Sequence, residues 1–243
     1  MAKERLDVMV TVRGHAESRE QAQRLIMAGK VRVDGQVSTK SGHRLGESVS
    51  IEIEAPVRFV GRGGDKLEAA FETFGLEVNG MTCLDIGSST GGFTDCLLQH
   101  GAARVYAVDV GKGLLHWKLR NDERVVVMED TNARYLSPCD VPEPVQFIVI
   151  DVAFISLTKI LPAVTEILAD GGRMISLIKP QFEAGRNQVG RGGVVKDPAV
   201  HRRVVEKIRT FGVDESGLTW EGIVECPVKG PAGNAEFLAY WAK

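Results

Sequence analysis

Leu84-Asp85-Ile86-Gly87-Ser88-Ser89-Thr90-Gly91-Gly92-Phe93-Thr94-Asp95 runs from an apolar strand through an acid and a Gly-rich turn into a helix. Such a turn brings backbone N–H groups close to a ligand where side chains would block the approach. The spacing separates two cofactors. A dinucleotide fingerprint reads G-x-G-x-x-G, with its acid about 20 residues later. Here the glycines read G-x-x-x-G-G, and Asp85 stands two residues before the first. A carboxylate there repels a pyrophosphate and suits the ammonium of a bound amino acid, which favours S-adenosylmethionine over NAD. Asp85, Gly87, Ser88, Gly91, Gly92 and Phe93 are therefore the expected wrap around its methionine part. Asp109, at the end of the next strand, is positioned to accept both ribose hydroxyls of a nucleoside. Asp130 or Asn132, one strand further on, is expected near the adenine amino group.

The rest of the 243 residues bounds what such a site can serve. Apolar residues make up 44% and charged residues 26%, the balance of an ordinary soluble globular protein. No apolar run approaches a membrane span, and the start Met-Ala-Lys-Glu-Arg lacks the apolar core of a signal peptide. No membrane association is expected. Cys83, Cys96, Cys139 and Cys226 are scattered, without Cys-x-x-Cys spacing, and are expected to stand without a nearby His as co-ligand. That argues against a disulfide framework or a metal site and for a reducing cytoplasm. Residues 1–62 hold 11 Lys and Arg against 8 Asp and Glu, while the remainder holds 19 against 24. A slightly basic small module joined to an acidic larger one suggests that the first meets a polyanion.

Local patterns place the boundary. In residues 1–56, Leu6, Met9 and Val10 form a helical stripe, and Ser18-Arg19-Glu20-Gln21 is a capping-box start before Ala22, Leu25 and Ile26. Val31, Val33, Asp34-Gly35 and Val37 then read as strand and tight turn, and Val49, Ile51 and Ile53 as another strand. Residues 57–64 are the expected linker. From residue 65 to 243, strands near 82–86, 104–109, 124–128, 145–151 and 173–178 alternate with helices. One helix is expected to be capped from Asp65, one to start at Ser156 and run through Leu168, and one to run from Asp197-Pro198 to a stop at Gly212. Two closing strands, near 218–226 and 235–241, have no helix between them. The order predicts a doubly wound, Rossmann-like α/β domain whose parallel sheet ends in an antiparallel edge. The Gly-rich, polar stretch from Gln181 to Lys196 reads as a mobile flap.

These segments resemble a known family. Arg5-Leu6-Asp7, Ser18 to Ala22 and Ala28 to Gly35 are similar to an S4 RNA-binding domain. Gly61 to Leu67, the Gly-rich turn, Val108 to Gly111, Asp130 to Arg134, Asp151 to Leu157, Leu177 to Glu183 and Gly233 to Leu238 resemble an FtsJ-type ribose methyltransferase. S4 followed by this domain is the arrangement of the TlyA family, historically labelled hemolysin A. Ala153 departs from a usual Ser, and Asp65 stands where the family varies. The resemblance implies S-adenosylmethionine-dependent 2′-O-methylation of cytidine in ribosomal RNA, in the large subunit and in some members the small one too. It implies a mostly parallel seven-stranded sheet with an antiparallel edge strand, and rRNA or a ribosomal subunit as the partner.

The resemblance also implies a catalytic tetrad of Lys66, Asp151, Lys179 and Glu236. Strand ends of a doubly wound sheet converge on one crevice, so positions this distant in sequence can meet. Glu236 should lie near the beginning of the reversed strand. Lys179 is the candidate to contact the 2′-hydroxyl; general base and stabiliser of developing oxyanion charge are both open to it. Arg5, Arg13, Arg19, Arg24, Lys30, Arg32 and Lys40 are candidate phosphate contacts in the small module, joined by Arg62 from the linker. No metal and no obligate protein partner is expected. Two rival functions are a membrane-active hemolysin, which needs a spanning or strongly amphipathic segment, and a non-catalytic ribosome assembly factor, which does not need the tetrad.

Overall fold

Leu6, Met9 and Val10 are buried together with Ala22, Ile26, Val31 and Ile51. This cluster is the core of the smaller of two compact units into which the chain divides after residue 57. The computed structural model describes residues 3–54 and 58–243; Ala55, Pro56 and Val57, expected around the start of the linker, lie outside the described residues. In the smaller unit, β1 (Lys3–Arg5), α1 (Leu6–Val12) and α2 (Arg19–Met27) precede β2 (Val31–Val33), β3 (Gln36–Val37), β4 (Arg44–Gly46) and β5 (Ile51–Ile53). Ser18 caps α2, its hydroxyl accepting from the Gln21 N–H at 3.2 Å. β2 and β3 join through Asp34 and Gly35, both at positive φ, the backbone of a primed hairpin turn.

The larger unit comprises α3 (Gly63–Phe74), β6 (Thr82–Ile86), α4 (Gly92–Gln99), β7 (Arg104–Val108), α5 (Trp117–Arg120), β8 (Val125–Met128), β9 (Val145–Ile150), α6 (Leu161–Ile167), β10 (Leu168–Ile178), α7 (Pro180–Glu183), α8 (Pro198–Asp214), β11 (Thr219–Glu225) and β12 (Phe237–Ala242). Alternation in the strands explains its layers. Leu84, Ile86, Ile148, Ile150, Met174 and Ile178 face one apolar cluster, with Leu161 and Val164 of α6 and Val204 and Ile208 of α8. Cys83, Phe147, Val149, Ile175 and Leu177 face another, with Leu67 and Phe71 of α3 and Leu97 of α4. A strand covered on both faces is apolar at nearly every position, and its buried exceptions here are Thr82, Asp85 and Ser176. Each large side chain so buried contributes about 1.5–3 kcal/mol.

The sheet order is β11-β12-β10-β9-β6-β7-β8. β10, β9, β6, β7 and β8 run parallel, and β12 is antiparallel to both β10 and β11. The reversed strand therefore sits one place in from the edge, with β11 outside it. The chain lays β7 and β8 on one side of β6 and returns with β9 on the other, so the crevice at the strand ends opens between β6 and β9.

Several local expectations change. α3 begins at Gly63, not Asp65, and residues 58–62 belong to the larger unit, where Phe59 is buried. At Ser156 a short 3-10 turn, Leu157–Lys159, precedes α6. Pro162, without an N–H, sits in the first turn of α6, and Leu168 already belongs to β10. α8 continues past Gly212, which is packed against the Trp241 ring rather than stopping the helix. The stretch expected as a flap is anchored. The Glu183 carboxylate accepts from the Leu157 N–H at 2.7 Å and the Ser156 hydroxyl at 2.6 Å, and Val195 is buried. Asn234 clamps the far end, accepting from the Val195 N–H and donating to the Gly193 carbonyl, both at 2.9 Å. Among the described residues, no helix is long and apolar enough to cross a membrane.

Candidate active site

The Gly-rich turn leaves β6 at the crevice, and its glycines answer to protein packing as well as to any ligand. Gly87 has φ +85°, and a Cβ there would stand 2.6 Å from the Asp151 carbonyl oxygen. A Cβ on Gly92 would stand 2.8 Å from the Gly64 nitrogen and 3.0 Å from the Gly63 Cα. The starts of α3 and α4 thus pack backbone to backbone, and β9 ends directly against the turn. Register holds the same junction: the Asp151 N–H donates to the Ile86 carbonyl at 2.9 Å.

Lys66, Asp151, Lys179 and Glu236 meet here from four separate elements. Lys66 lies in the first turns of α3, Asp151 just after β9, Lys179 between β10 and α7, and Glu236 immediately before β12. Because β12 is reversed, its beginning lies at the end of the sheet where the parallel strands finish. Lys179 Nζ is 2.5 Å from Asp151 Oδ1, Lys66 Nζ 3.7 Å from Asp151 Oδ2, and Lys66 Nζ 2.6 Å from Glu236 Oε2. Gln181 extends the chain, donating to Glu236 Oε1 at 3.3 Å. The cluster is thus a continuous line of alternating cations and anions. Glu236 is 1% exposed and Lys66 8%, so each charge depends on its neighbour. Burial by itself lowers the Lys66 amine, but the Asp151 charge and the Glu236 hydrogen bond outweigh it and hold the amine above its usual value.

Two adjoining clefts open on the turn and share Gly87, Ser89, Asp151 and Ala153. One, of about 320 Å³, is walled by the tetrad with Ser88, Gly92, Phe93, Arg62 and Lys229. The other, of about 480 Å³, is walled by Asp109, Asn132, Thr131 and the apolar Val110, Leu114 and Ile155. Asp109 Oδ2 accepts from the Ser89 N–H at 2.8 Å and Oδ1 from the Gly111 N–H at 2.7 Å, which fixes its carboxylate at the strand end. Asp85, Gly91 and Asp130 do not line either cleft. Asp85 is fully buried behind the turn, its Oδ2 accepting from the Thr94 hydroxyl at 2.6 Å. Burial pushes its carboxyl up to about 7, against the Thr94 hydrogen bond and with help from Asp151. Its Oδ1 has no hydrogen-bond partner among the described residues. A polar groove with a fixed acid at its apolar end and an orphaned carboxylate oxygen behind its turn fits a nucleoside joined to an amino acid.

Sequence reading did not assign Ser89, Gln181 or Lys229 to the site, and noted Ala153 only as a departure from a usual Ser. Ser89 shows itself only through its positive φ, and Gln181 and Lys229 only through the fold. Phe154, also at positive φ, lines the second cleft, is 91% exposed and packs its ring 5.0 Å from that of Phe182.

The candidate RNA contacts divide differently from expectation. Asp7 is fully buried and accepts from Arg5 Nε and Nη2, Arg19 Nε and Gln23 Nε2 at 2.8 to 3.0 Å. Arg5, first among its causes, holds the Asp7 carboxyl far below the usual range, against burial. Arg13 closes the carbonyls of Glu47 and Val49, both at 2.7 Å, Lys30 pairs with Glu54, and Arg32 donates to the Gly35 carbonyl. These five cations brace the small unit, while Arg24 and Lys40 have no side-chain partner among the described residues. Arg62 instead lines the tetrad cleft in the larger unit.

Comparison with known proteins agrees with this architecture. The FtsJ-like methyltransferase family model matches residues 59–243, and the S4 domain model matches residues 4–51. Hemolysin A of Brachyspira hyodysenteriae is 43% identical over 242 residues, covering 98% of this chain and 99% of that one. The 16S/23S rRNA (cytidine-2′-O)-methyltransferase TlyA of Mycobacterium tuberculosis is 44% identical over 238 residues, covering 97% and 88%. A solved structure of a protein labelled a hemolysin, from Streptococcus thermophilus, superposes with a TM-score of 0.76 at 47% identity, covering 100% of this chain and 89% of that one. The chain belongs to the FtsJ-like methyltransferase family, in its TlyA branch, which carries an N-terminal S4 domain.

Proposed function

We propose that this protein methylates the 2′-hydroxyl of a cytidine in ribosomal RNA, with the S4 unit holding the RNA. The observation that carries the reading is the line Lys179–Asp151–Lys66–Glu236 along the wall of the groove. S-adenosylmethionine, the methyl donor of the family, supplies an electrophilic methyl group on a sulfonium. Asp109 and Asn132 would hold its nucleoside part, and the turn from Gly87 to Phe93 its amino-acid part, with Asp85 behind.

The chain's own residues then have two tasks, alignment and removal of one proton. Lys179 contacts the 2′-oxygen, and the departing proton passes to the Lys179–Asp151 pair, whose charged atoms stand 2.5 Å apart. Lys66 stays a cation and fixes Asp151 from its other oxygen. Glu236 offsets the charge of Lys66, and Gln181 fixes Glu236. The M. tuberculosis relative is named for both 16S and 23S rRNA, which supports the large subunit as substrate and the small subunit as a second one. A ribosomal substrate in turn supports a cytoplasmic site of action.

Incubation with labelled S-adenosylmethionine and separated ribosomal subunits, followed by mapping of ribose methylation, tests the reading. Label on a cytidine ribose is expected. No transfer by the wild type overturns the activity, and transfer unchanged by Lys179→Ala overturns the catalytic assignment alone.

A further inference from the structure

We propose that Glu68, Cys96 and His100 form a site for one Zn²⁺ ion that fastens α3 to α4. Cys96 and His100 are four residues apart at the end of α4 and so share one face of it. Glu68 meets them from α3. Its Oε2 lies 2.8 Å from His100 Nε2 and 3.7 Å from Cys96 Sγ, and the three ligand atoms all lie within 4.8 Å of one another. Bonds of about 2.0–2.3 Å around a tetrahedral ion set its donors roughly 3.3–3.8 Å apart. The sulfur–oxygen distance already meets that, and the imidazole needs only a small retreat.

The surroundings hold these donors in place. Arg58 Nη1 binds the other Glu68 oxygen at 2.8 Å, which aims Oε2 at the Cys and His. The His100 ring stacks on Phe71 with centroids 4.1 Å apart. Cys96 is fully buried, whereas His100 and Glu68 are partly exposed and leave an entry path. One thiolate, one imidazole and one carboxylate suit zinc over magnesium or calcium, and leave a fourth position for water. Binding the ion releases the thiol proton. The site lies outside both clefts, yet it joins two elements of the active site. Glu68 stands two residues after Lys66, and α4 grows out of the Gly-rich turn. The sequence displays the Cys96-x-x-x-His100 spacing, contrary to the expectation of cysteines without a nearby His; only the fold supplies Glu68.

The test uses the full chain without a histidine tag. Titration with Co²⁺ is expected to give one ion per chain and a thiolate-to-cobalt charge-transfer band that excess Zn²⁺ removes. The band should survive Cys139→Ser and vanish in Cys96→Ser. Zn²⁺ at a hundredfold excess over its Kd should raise the melting temperature of the larger unit by about 5–10 °C. His100→Asn, partly exposed and less disruptive than a change at Cys96, should abolish that rise. Absence of the band, its persistence in Cys96→Ser, or a Zn²⁺ shift unchanged in His100→Asn overturns the site.

Discussion

Asp85→Asn is expected to make the larger unit more stable at alkaline pH and to weaken cofactor binding at the same time. The buried Asp85 carboxyl is raised from its ordinary value of 3.8 to about 7, first by burial. Between those two values the native protein holds a proton that the unfolded chain has released. Stability therefore falls as pH rises from about 4 to about 7 and is flat with respect to this group above that. At about 1.4 kcal/mol per tenfold change, the total is about 4 kcal/mol. Asparagine keeps the shape and can still accept from Thr94, but has no such proton to lose. Its buried amide adds a pH-independent offset of about 1–3 kcal/mol, unfavourable to the variant. The difference between variant and wild type should thus change steadily in the variant's favour up to about pH 7 and level off beyond it. Denaturant unfolding from about pH 5 to about pH 8, followed by tryptophan fluorescence, reads the right unit, since Trp117, Trp220 and Trp241 all lie in it. Parallel pH profiles for the two proteins would refute the argument that an unpaired carboxylate is buried behind the turn.

Glu236→Gln removes the closest partner of a nearly buried Lys66 and leaves Asp151, 3.7 Å away, to offset it, so the loss should fall below the about 3–5 kcal/mol of a wholly unpaired buried charge. The double variant Glu236→Gln with Lys66→Met should recover part of that loss in an unfolding experiment without recovering methyl transfer. Gly92→Ala sets a methyl 2.8 Å from the Gly64 nitrogen, where only backbone stands to give way. Overpacking of this kind costs about 1–3 kcal/mol, and calorimetry with and without S-adenosylmethionine should show both stability and cofactor affinity falling. Asp7→Asn removes the shared anchor of Arg5, Arg19 and Gln23. Filter binding should show weaker RNA affinity with S-adenosylmethionine affinity unchanged. In the wild-type small unit, the stability due to Asp7 is present above the ordinary carboxylate value and is lost as pH falls through its much lower folded value.

Patterns that repeat along the chain were the legible ones. Leu84 and Ile86 against Cys83 announce a strand buried on both faces, and Asp197-Pro198 announces a helix start whose Asp197 side chain does accept from the Ala199 N–H. The Gly-rich turn likewise marks the crevice. What escaped reading depends on partners far away in sequence. α3 starts at Gly63 with no side-chain cap, so no capping residue signals it. Gly212 looks like a helix stop because nothing nearby in sequence points to the Trp241 ring. Arg5 and Arg19 look like free phosphate ligands until the burial of Asp7 is known. The stretch before Lys196 looks loose until Asn234 reaches back to it. Most of these are contacts whose second half lies at least a dozen residues away, or whose local signal is a glycine with more than one use; Arg5 and Asp7 are near in sequence, but only the fold buries Asp7.

The ion pair between Lys66 and Glu236 joins residues 170 positions apart, and Glu236 introduces the last strand of the sheet. A nascent chain therefore carries the whole cofactor turn, three members of the tetrad and the S4 unit long before the fourth member exists. A protein built to act on ribosomal RNA is synthesised beside an abundance of it. Placing Glu236 this late keeps the tetrad incomplete until β12 has been made and inserted between β10 and β11. In temporal terms, the tetrad is the last thing the chain completes, closed by the strand that also closes the sheet.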